Sequence, residues 1–280
     1  MAAPGVCKLP LVMDFDHLYY KWNENMQRNS NLIFDIGTSE GNDTAFYLAK
    51  GFDVVALEAD PETFAAVSKR FEAEIADGRL KFINAAAFGK SGETLSFFRN
   101  DAAQGISSMF ENKKVQFLET QTKFDVVTID YKDLCAISGV PYYCKIDIEG
   151  AETYFLSGIS KDDVLPDYVS VEAHTFAPIE QMIALGYKRF KYVDQRQHHK
   201  TTAPEPALEG KYLGHYKFDH ASGYFGRETA GSRWMNAQEA TEVYEKIKYL
   251  KSMRGIINSW YDCHCALYAK DRPRSAPATA

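Results

Sequence analysis

The chain carries the stretch Asp35-Ile-Gly-Thr-Ser-Glu-Gly41 directly after the apolar run Leu32-Ile33-Phe34. The apolar run predicts a buried parallel strand, and the cap-type residues from Asn42 onward predict the start of a helix. Gly37 and Gly41 remove side chains where a ligand approaches the backbone, and the helix N-terminus offers unpaired N–H groups to a carboxylate or phosphate. The stretch therefore predicts a strand–turn–helix unit that binds a ligand at the turn.

Glu58 indicates that this ligand contains a nucleoside. It ends a second predicted strand, Asp53-Val54-Val55-Ala56-Leu57, where a carboxylate can accept both hydroxyl groups of a ribose. The spacing Gly37-x-x-x-Gly41 lacks the middle glycine that the pyrophosphate of a dinucleotide requires. Glu40 would repel a pyrophosphate but suits a cationic amino group. This pattern is typical of sites for S-adenosylmethionine (SAM); an ordinary strand–helix turn with a solvated Glu58 is the simpler alternative.

Composition restricts the class of protein. The chain has 280 residues, a formal net charge of −6 and five cysteines, none of them in a C-x-x-C pair. This length favours one domain with an elaboration, and the negative charge argues against a bulk nucleic-acid partner. No apolar run has the length of a membrane span, and the first residues lack the order of a signal peptide. We expect a cytoplasmic protein with no membrane span, no nucleic-acid partner and reduced thiols.

Strand and helix patterns alternate along most of the chain. This alternation predicts an α/β fold with a doubly wound, mostly parallel sheet that binds its ligand at the carboxyl ends of the strands. An insertion at 196–259 interrupts the alternation before a final strand, and we expect it to form a lid over a second substrate. The predicted parts of the chain are a helical lead-in (1–29), a ligand-binding domain (30–271) and a disordered tail (272–280).

A second signature lies at Lys145-Ile-Asp147-Ile-Glu149-Gly150-Ala151-Glu152. Together with the first stretch and with Leu57-Glu58-Ala-Asp-Pro61, it resembles the FkbM-type family of SAM-dependent methyltransferases over roughly residues 30–195. The resemblance implies a class I methyltransferase (Rossmann-like) sheet with an antiparallel last strand. It also implies SAM as the cofactor and methyl transfer to a hydroxyl oxygen of a small-molecule or sugar-like acceptor. The acceptors of this family vary, so the identity of the acceptor does not carry over.

The two signatures assign roles to individual residues. Asp35 and Gly37 should shape the methionine end of SAM, with Glu40 or Asp35 near its ammonium group. Glu58 should bind the ribose, and Ala86 should lie beside the adenine after the third strand. The residues predicted to bind the cofactor are Asp35, Gly37, Thr38, Glu40, Gly41, Glu58, Ala59, Ala86 and Asp147.

A hydroxyl acceptor requires a general base, because its proton must be removed as the methyl group arrives. Asp147, Glu149 and His174 are the candidates, since each follows a predicted strand at the ligand edge of the sheet. His264 is a fourth candidate if the closing strand points it inward. The structural alternative is that Asp147 and Glu149 only cap the helix that runs through Glu152.

A metal site is a separate possibility. Oxygen and imidazole ligands for a divalent ion could come from several residues, but their spacing is not diagnostic, and we predict no metal. The residues concerned are Asp130, Asp147, Glu149, Glu172 and His174. We interpret His198-His199, on a polar stretch, as a solvated loop, and Cys263-x-Cys265 as packing on one face of a strand.

Two other functions remain open at this point. The chain could bind SAM or its product without turnover. It could also be a nicotinamide oxidoreductase, because two Y-x-x-x-K matches occur, Tyr187 to Lys191 and Tyr244 to Lys248. The glycine spacing disfavours the oxidoreductase, and the first match lies on a predicted strand.

Overall fold

The computed structural model describes residues 27–100, 107–109, 121–218, 221–231, 233–253 and 260–271. Of the predicted helical lead-in, residues 1–26 lie outside these ranges, and so does the whole predicted tail, 272–280. Residues 28 and 29 of the lead-in belong to the first strand and are not helical. No described helix is long and apolar enough to cross a membrane.

The described chain contains two sheets. Their strands are β1 (Arg28–Ile36), β2 (Asp53–Glu58), β3 (Leu80–Asn84), β4 (Ala86–Ala87), β5 (Thr94–Asn100), β6 (Ser107–Ser108), β7 (Gln121–Ile129), β8 (Val140–Ile146), β9 (Tyr168–Glu172), β10 (Arg189–Asp194) and β11 (Tyr261–Ala266). The helices are α1 (Asn42–Ala49), α2 (Pro61–Arg70), α3 (Glu72–Ala76), α4 (Tyr131–Ser138), α5 (Glu152–Ser157), α6 (Ala177–Ala184) and α7 (Ala237–Ser252). Two 3₁₀ helices cover Gln195–Lys200 and Gly226–Glu228.

The main sheet has the strand order β10-β11-β9-β8-β1-β2-β3. Strands β3, β2, β1, β8 and β9 are parallel to one another, whereas β11 is antiparallel to both β9 and β10. The predicted parallel sheet with an antiparallel last strand is therefore confirmed. The smaller sheet has the order β4-β7-β5-β6, and its strand β5 pairs with β7 over the whole range Thr94–Asn100.

Helices cover both faces of the main sheet because its strands are buried on both sides. One face presents side chains such as Phe34 and Cys144 to α4, α5, α6 and α7. The other presents Ile33 and Tyr143 to α1, α2 and part of the insertion. Strand β1 pairs with β2 on one side and with β8, the central strand of the sheet, on the other.

The insertion forms a packed layer on the face of the sheet that carries α1. Tyr216, Phe218, Tyr224 and Phe225 surround Phe46 of α1, with ring centroids 4.8 to 6.2 Å from it. Aromatic side chains at this density form a packed layer. The predicted lid over a second substrate stays a prediction. The described residues of the insertion that line the cavity at the ligand edge are Arg196, His198, Phe218, Ala221 and Ser222.

A buried ion pair anchors the same layer. Lys50 Nζ lies 2.7 Å from Glu228 Oε2, and neither side chain is exposed. The second oxygen of Glu228 accepts hydrogen bonds from the backbone N–H groups of Leu208 and Glu209. Since an unpaired buried charge is strongly unfavourable, this pair fixes the insertion to the C-terminal end of α1.

Candidate active site

A cavity of about 530 Å³ runs along the carboxyl edge of the main sheet. At one end its walls come from the segments after β1, β2 and β3, and we call this the nucleoside half. At the other end they come from the segments after β8 and β9, from the start of β11 and from the first 3₁₀ helix, and we call this the acceptor half. Lining residues of the nucleoside half include Gly37, Thr38, Ser39, Glu40, Glu58, Ala59, Ala86 and Phe97. Those of the acceptor half include Asp147, Glu149, Glu172, Gln195, Arg196, His198, Trp260 and Asp262.

Gly37 joins the two halves through a close backbone approach. Its φ is +88°, and a Cβ added there would lie 1.8 Å from the carbonyl oxygen of Asp147. The backbone N–H of Asp147 donates to the carbonyl of Ile36 at 2.9 Å, which continues the β1–β8 pairing into the loops. Only glycine fits this position, so Gly37 determines where the Asp147 segment lies.

Glu58 is held in place by backbone donors. The N–H groups of Ser39 and Asp60 donate to its two carboxylate oxygens at 3.0 and 2.9 Å. The side chain is buried but lines the cavity, and burial raises the pKa of Glu58 to about 7. A carboxylate fixed in this way retains lone pairs that can accept the two hydroxyl groups of a ribose.

Lys145 lies beneath the centre of the cavity in a network of carboxylates. Its Nζ is 3.2 Å from Asp147, 3.4 Å from Asp43 and 3.9 Å from Asp35. Asp35 is fully buried and does not line the cavity; burial raises its pKa to about 7, although Lys145 opposes the shift. Thr44 Oγ1 donates to Asp35 at 2.6 Å. Asp35 therefore supports the floor of the site and does not face a ligand.

The loop after β8 is closed by Glu152, not by the residues predicted as possible caps. Glu152 accepts hydrogen bonds from the N–H groups of Ile148 and Gly150, both at 3.2 Å. Glu149 adopts a positive φ of 54°. The N-cap of α5 is Ala151, and both Asp147 and Glu149 line the cavity. Backbone strain of this kind is common where a side chain must be aimed at a ligand.

Glu149 lies at the mouth of the acceptor half. Partial burial, together with the carboxylates of Asp147 and Glu172, raises the pKa of Glu149 to about 7, while His174 opposes the shift. A carboxylate with a pKa near neutrality can accept a proton at physiological pH and release it to solvent afterwards.

His174 is not brought into the cavity wall. Its ring Nε2 lies 2.8 Å from Glu172 Oε2, and its side chain is 49% exposed. The hydrogen bond to Glu172 raises the pKa of His174. Glu172, by contrast, lines the cavity. Within the described ranges, no three His, Cys, Asp or Glu side chains are grouped so that they could hold a metal ion.

Two histidines differ from their predicted environments. His264 points inward but lies in the core, where burial lowers its pKa to about 3, and it does not line the cavity. The interpretation of His198 as part of a solvated loop was wrong: it is buried and lines the acceptor half. Gly223 lies directly against its ring, since a Cβ added there would be 2.3 Å from Nδ1, and Gln195 contacts Nε2 at 2.5 Å. The insertion therefore shields this histidine from solvent; the side chain of His199 lies outside the described part.

Of the predicted residues, some line the cavity, and others cap helices or pack in the core around it. Gly41 is the N-cap of α1 and packs against Phe71, because a Cβ added at Gly41 would lie 2.6 Å from that ring. Cys263 and Cys265 are buried on one face of β11, as predicted, with their sulfur atoms 4.0 Å apart. Asp130 caps α4 by accepting from the N–H of Asp133. The predicted residues that do line the cavity are Gly37, Thr38, Glu40, Glu58, Ala59, Ala86, Asp147 and Glu149.

Sequence reasoning missed Asp43, Lys145 and Asp262 as members of the site. Asp43 lies in the first turn of α1 and accepts from the N–H of Ser222 at 2.8 Å. Asp262 is the second residue of β11, which starts at the ligand edge because it runs antiparallel. An aspartate inside an otherwise apolar closing strand is the signal that could have identified it.

The two Y-x-x-x-K pairs of the oxidoreductase alternative lie outside the cavity. The hydroxyl group of Tyr187 donates to the carbonyl of Pro166 at 3.0 Å, in the core. Tyr244 and Lys248 lie on α7 and are absent from the cavity wall. Neither pair is placed to act on a ligand in this cavity.

The chain is similar to several known proteins. The family model of the methyltransferase FkbM domain matches residues 35–202. Among solved structures, a methyltransferase FkbM from Methylobacillus flagellatus KT is 18% identical, with 57% of this chain and 36% of that chain covered and a TM-score of 0.34. A SAM-dependent O-methyltransferase from Thermotoga maritima is 7% identical, with 95% and 70% covered and a TM-score of 0.37. A precorrin-6y C5,15-methyltransferase from Geobacter metallireducens GS-15 is 10% identical, with 92% and 90% covered and a TM-score of 0.35. No curated protein matches the chain.

Proposed function

Because the chain belongs to the FkbM family of SAM-dependent methyltransferases, we propose that it transfers a methyl group to a hydroxyl oxygen of a small-molecule or glycan-like acceptor. Its sheet is that of a class I methyltransferase. The observation that carries the proposal is the single cavity, which joins the buried Glu58 at one end to Asp147 and Glu149 at the other. Such a cavity suits two ligands that meet over the middle of the sheet.

The residues of the nucleoside half fit SAM. Glu58 has fixed oxygen atoms that can accept from a ribose, and small residues at 85–87 leave a flat wall for an adenine. Glu40 and Asp43 line the same half close to the helix N-terminus and suit an ammonium group. When bound there, SAM would supply an electrophilic methyl group on its sulfonium.

The acceptor half supplies the proton acceptor. Methyl transfer to a hydroxyl requires alignment of that oxygen and removal of its proton. We assign proton removal to Glu149, whose pKa is raised to about 7 by burial and neighbouring carboxylates. Asp147, held 3.2 Å from Lys145 Nζ, is suited to orient the hydroxyl group. His174 is suited to position Glu172, because its ring contacts that carboxylate.

Calorimetry with S-adenosylhomocysteine (SAH) tests the cofactor assignment. We expect SAH to bind, and Glu58→Gln to weaken binding at least about tenfold, because a hydrogen bond to a charged acceptor contributes about 1.5–3 kcal/mol. Glu242→Gln is the matched control, since Glu242 is exposed on α7 and does not line the cavity. Absence of SAH binding, or equal affinity of the Glu58 variant, would refute the assignment.

Transfer of a labelled methyl group from SAM to a panel of hydroxylated metabolites tests the reaction. We expect label on an oxygen of at least one acceptor, and Glu149→Gln to lower kcat while leaving SAH affinity unchanged. SAH binding without transfer to any acceptor would favour a SAM-binding protein without turnover. Saturable NAD(H) binding that SAH displaces would instead favour the oxidoreductase.

A further inference from the structure

Asp262 is a buried carboxylate in the wall of the acceptor half that the proposed mechanism does not use. It is 4% exposed and pairs in register with Glu172 of β9. The other buried carboxylates of the described residues have donors; for example, Asp43 accepts from the N–H of Ser222, and Glu228 pairs with Lys50. Within the described residues, the side-chain carboxylate of Asp262 has no hydrogen bond and no ion pair within 4.0 Å. A buried polar group in this state requires a partner, and the cavity is where a partner can arrive.

The charges around Asp262 determine the sign of the charge that its partner must carry. Asp147, Glu149 and Glu172 also line the acceptor half, so carboxylates dominate its wall. Lys145 does not offset them fully, because it already lies between 3.2 and 3.9 Å from three carboxylates. A pocket with this charge repels an anionic acceptor and attracts a cationic one.

Arg196 is the cation that could favour an anionic acceptor instead. Its guanidinium carbon lies 5.5 Å from the centre of the Trp260 ring, at the rim of the cavity. Both side chains are exposed, so the guanidinium is hydrated and its field is screened. This arrangement leaves the buried part of the acceptor half, where Asp262 lies, without a free cation among the described residues.

We propose that the acceptor carries an ammonium group near its reactive hydroxyl and that the Asp262 carboxylate binds this ammonium group. The acceptor would belong to the amino alcohols in the broad sense, which include amino sugars, and phosphorylated or carboxylated hydroxyl compounds would be excluded. The inference rests on the proposed methyl transfer to oxygen and adds a residue that determines specificity.

Protonation of Asp262 gives this proposal a second observable. Burial raises the pKa of Asp262 well above its ordinary value, Asp147, Glu172 and Asp43 raise it further, and Lys145 opposes them. Asp262 therefore holds its proton to a higher pH in the free protein than an ordinary aspartate does. A bound ammonium group favours the carboxylate, so an amine should release a proton when it binds.

The experiment uses three probes that share a ring and differ in charge: trans-2-aminocyclohexanol, trans-1,2-cyclohexanediol and 2-hydroxycyclohexanecarboxylate. Each is titrated calorimetrically into the SAH-loaded protein in two buffers that differ in ionisation enthalpy. We expect the amine to bind at least about tenfold more tightly than the diol, with proton release, and the carboxylate to bind most weakly. Asp262→Asn should abolish the preference and the proton release, whereas Asp162→Asn, at an exposed position, should change neither.

Several outcomes would overturn the inference. The diol or the carboxylate could bind as tightly as the amine or more tightly, or the amine could show no saturable binding. Asp262→Asn could also lower the affinity for all three probes equally, which would indicate a structural role for Asp262. Methyl transfer to the nitrogen of the amine would also overturn it, since the amine would then be the nucleophile. Methyl transfer to the oxygen of neutral acceptors, unchanged in Asp262→Asn, would overturn the inference but leave the proposed function standing. A protein that binds no SAH would instead refute the proposed function.

Discussion

Substitution of Gly37 by alanine tests whether contact between the β1 and β8 loops builds the site. Gly37 has a φ of +88°, and an added Cβ would meet the carbonyl oxygen of Asp147 at 1.8 Å. Gly78 is a matched control, because its φ is +81° and nothing lies within 4 Å of an added Cβ. The two variants impose the same backbone strain, but only Gly37→Ala creates a collision.

The expected losses of stability follow from the backbone strain and from the collision. An alanine at positive φ costs about 1–2 kcal/mol relative to glycine, so Gly78→Ala should lower the free energy of unfolding by that amount. At Gly37, the added Cβ and the Asp147 oxygen must separate by more than an ångström to reach an ordinary contact distance of 3.4 Å. Overpacking of this kind costs about 1–3 kcal/mol more, which gives a total of about 2–5 kcal/mol for Gly37→Ala.

Chemical denaturation measures the loss of stability, and calorimetry with SAH measures the change in affinity for the cofactor product. Displacement of the Asp147 loop should weaken SAH binding about tenfold or more in Gly37→Ala, because small errors of position in a site are costly. Gly78→Ala should retain the affinity of the unaltered protein. If both variants lose equal stability and both retain SAH affinity within about twofold, the argued role of the Gly37–Asp147 contact is wrong.

Three further predictions concern charge. The pKa of Glu58 is raised from 4.5 to about 7 in the folded protein, so the unfolded chain loses this proton first and stability falls as pH rises through that window. Glu58→Gln removes this pH dependence. Between pH 4.5 and 7.5, the free energy of unfolding of the variant should therefore rise by up to about 3 kcal/mol relative to that of the unaltered protein in denaturation experiments. A difference between the two proteins that does not change with pH would contradict this prediction. The kcat/KM of the unaltered protein should rise with pH around the Glu149 pKa of about 7, and a profile of Glu149→Gln that keeps this rise would rule out Glu149 as the base. Lys145→Met removes the cation beside the buried carboxylates of Asp35 and Asp43 and should destabilise the protein by about 3–5 kcal/mol at pH 7. The loss should be smaller at pH 5, which lies below the Asp35 pKa of about 7. The control Lys90→Met, at an exposed ion pair, should change stability by less than about 1 kcal/mol.

Local patterns were sufficient to predict most of the sheet. The apolar pattern of 168–172 predicts a strand, and the structure has β9 there. The pattern of 237–251 predicts a long helix in the insertion, which corresponds to α7, Ala237–Ser252. Both succeed because apolar periodicity and cap residues are properties of a short segment. The pattern of 61–76 predicts one helix, but the structure divides it at Phe71 into α2 and α3, a break that periodicity alone does not reveal.

The histidines illustrate what local patterns miss. His198 lies among polar neighbours in the sequence, which favours a solvated loop, yet Gly223 and Phe218 of the insertion cover its ring. His264 lies among apolar neighbours at the end of the chain, and the register of β11 places it opposite Ser170 in the core. In both cases, burial depends on a contact with a distant segment.

By itself, the sequence determined the parts of this protein that depend on neighbouring residues. It specified the strand–turn–helix at Asp35–Gly41, the acidic residue after β2, the Lys145–Glu152 signature and the alternation that produces a parallel sheet. Only the tertiary structure decided which of these groups face one cavity. It placed Asp35 and Gly41 beneath the surface, brought Asp262 from the last strand to the ligand edge, and packed the insertion onto α1. The reason is physical: hydrogen bonding and periodicity act over a few residues, whereas burial and the fields of neighbouring charges depend on segments that meet only when the chain folds.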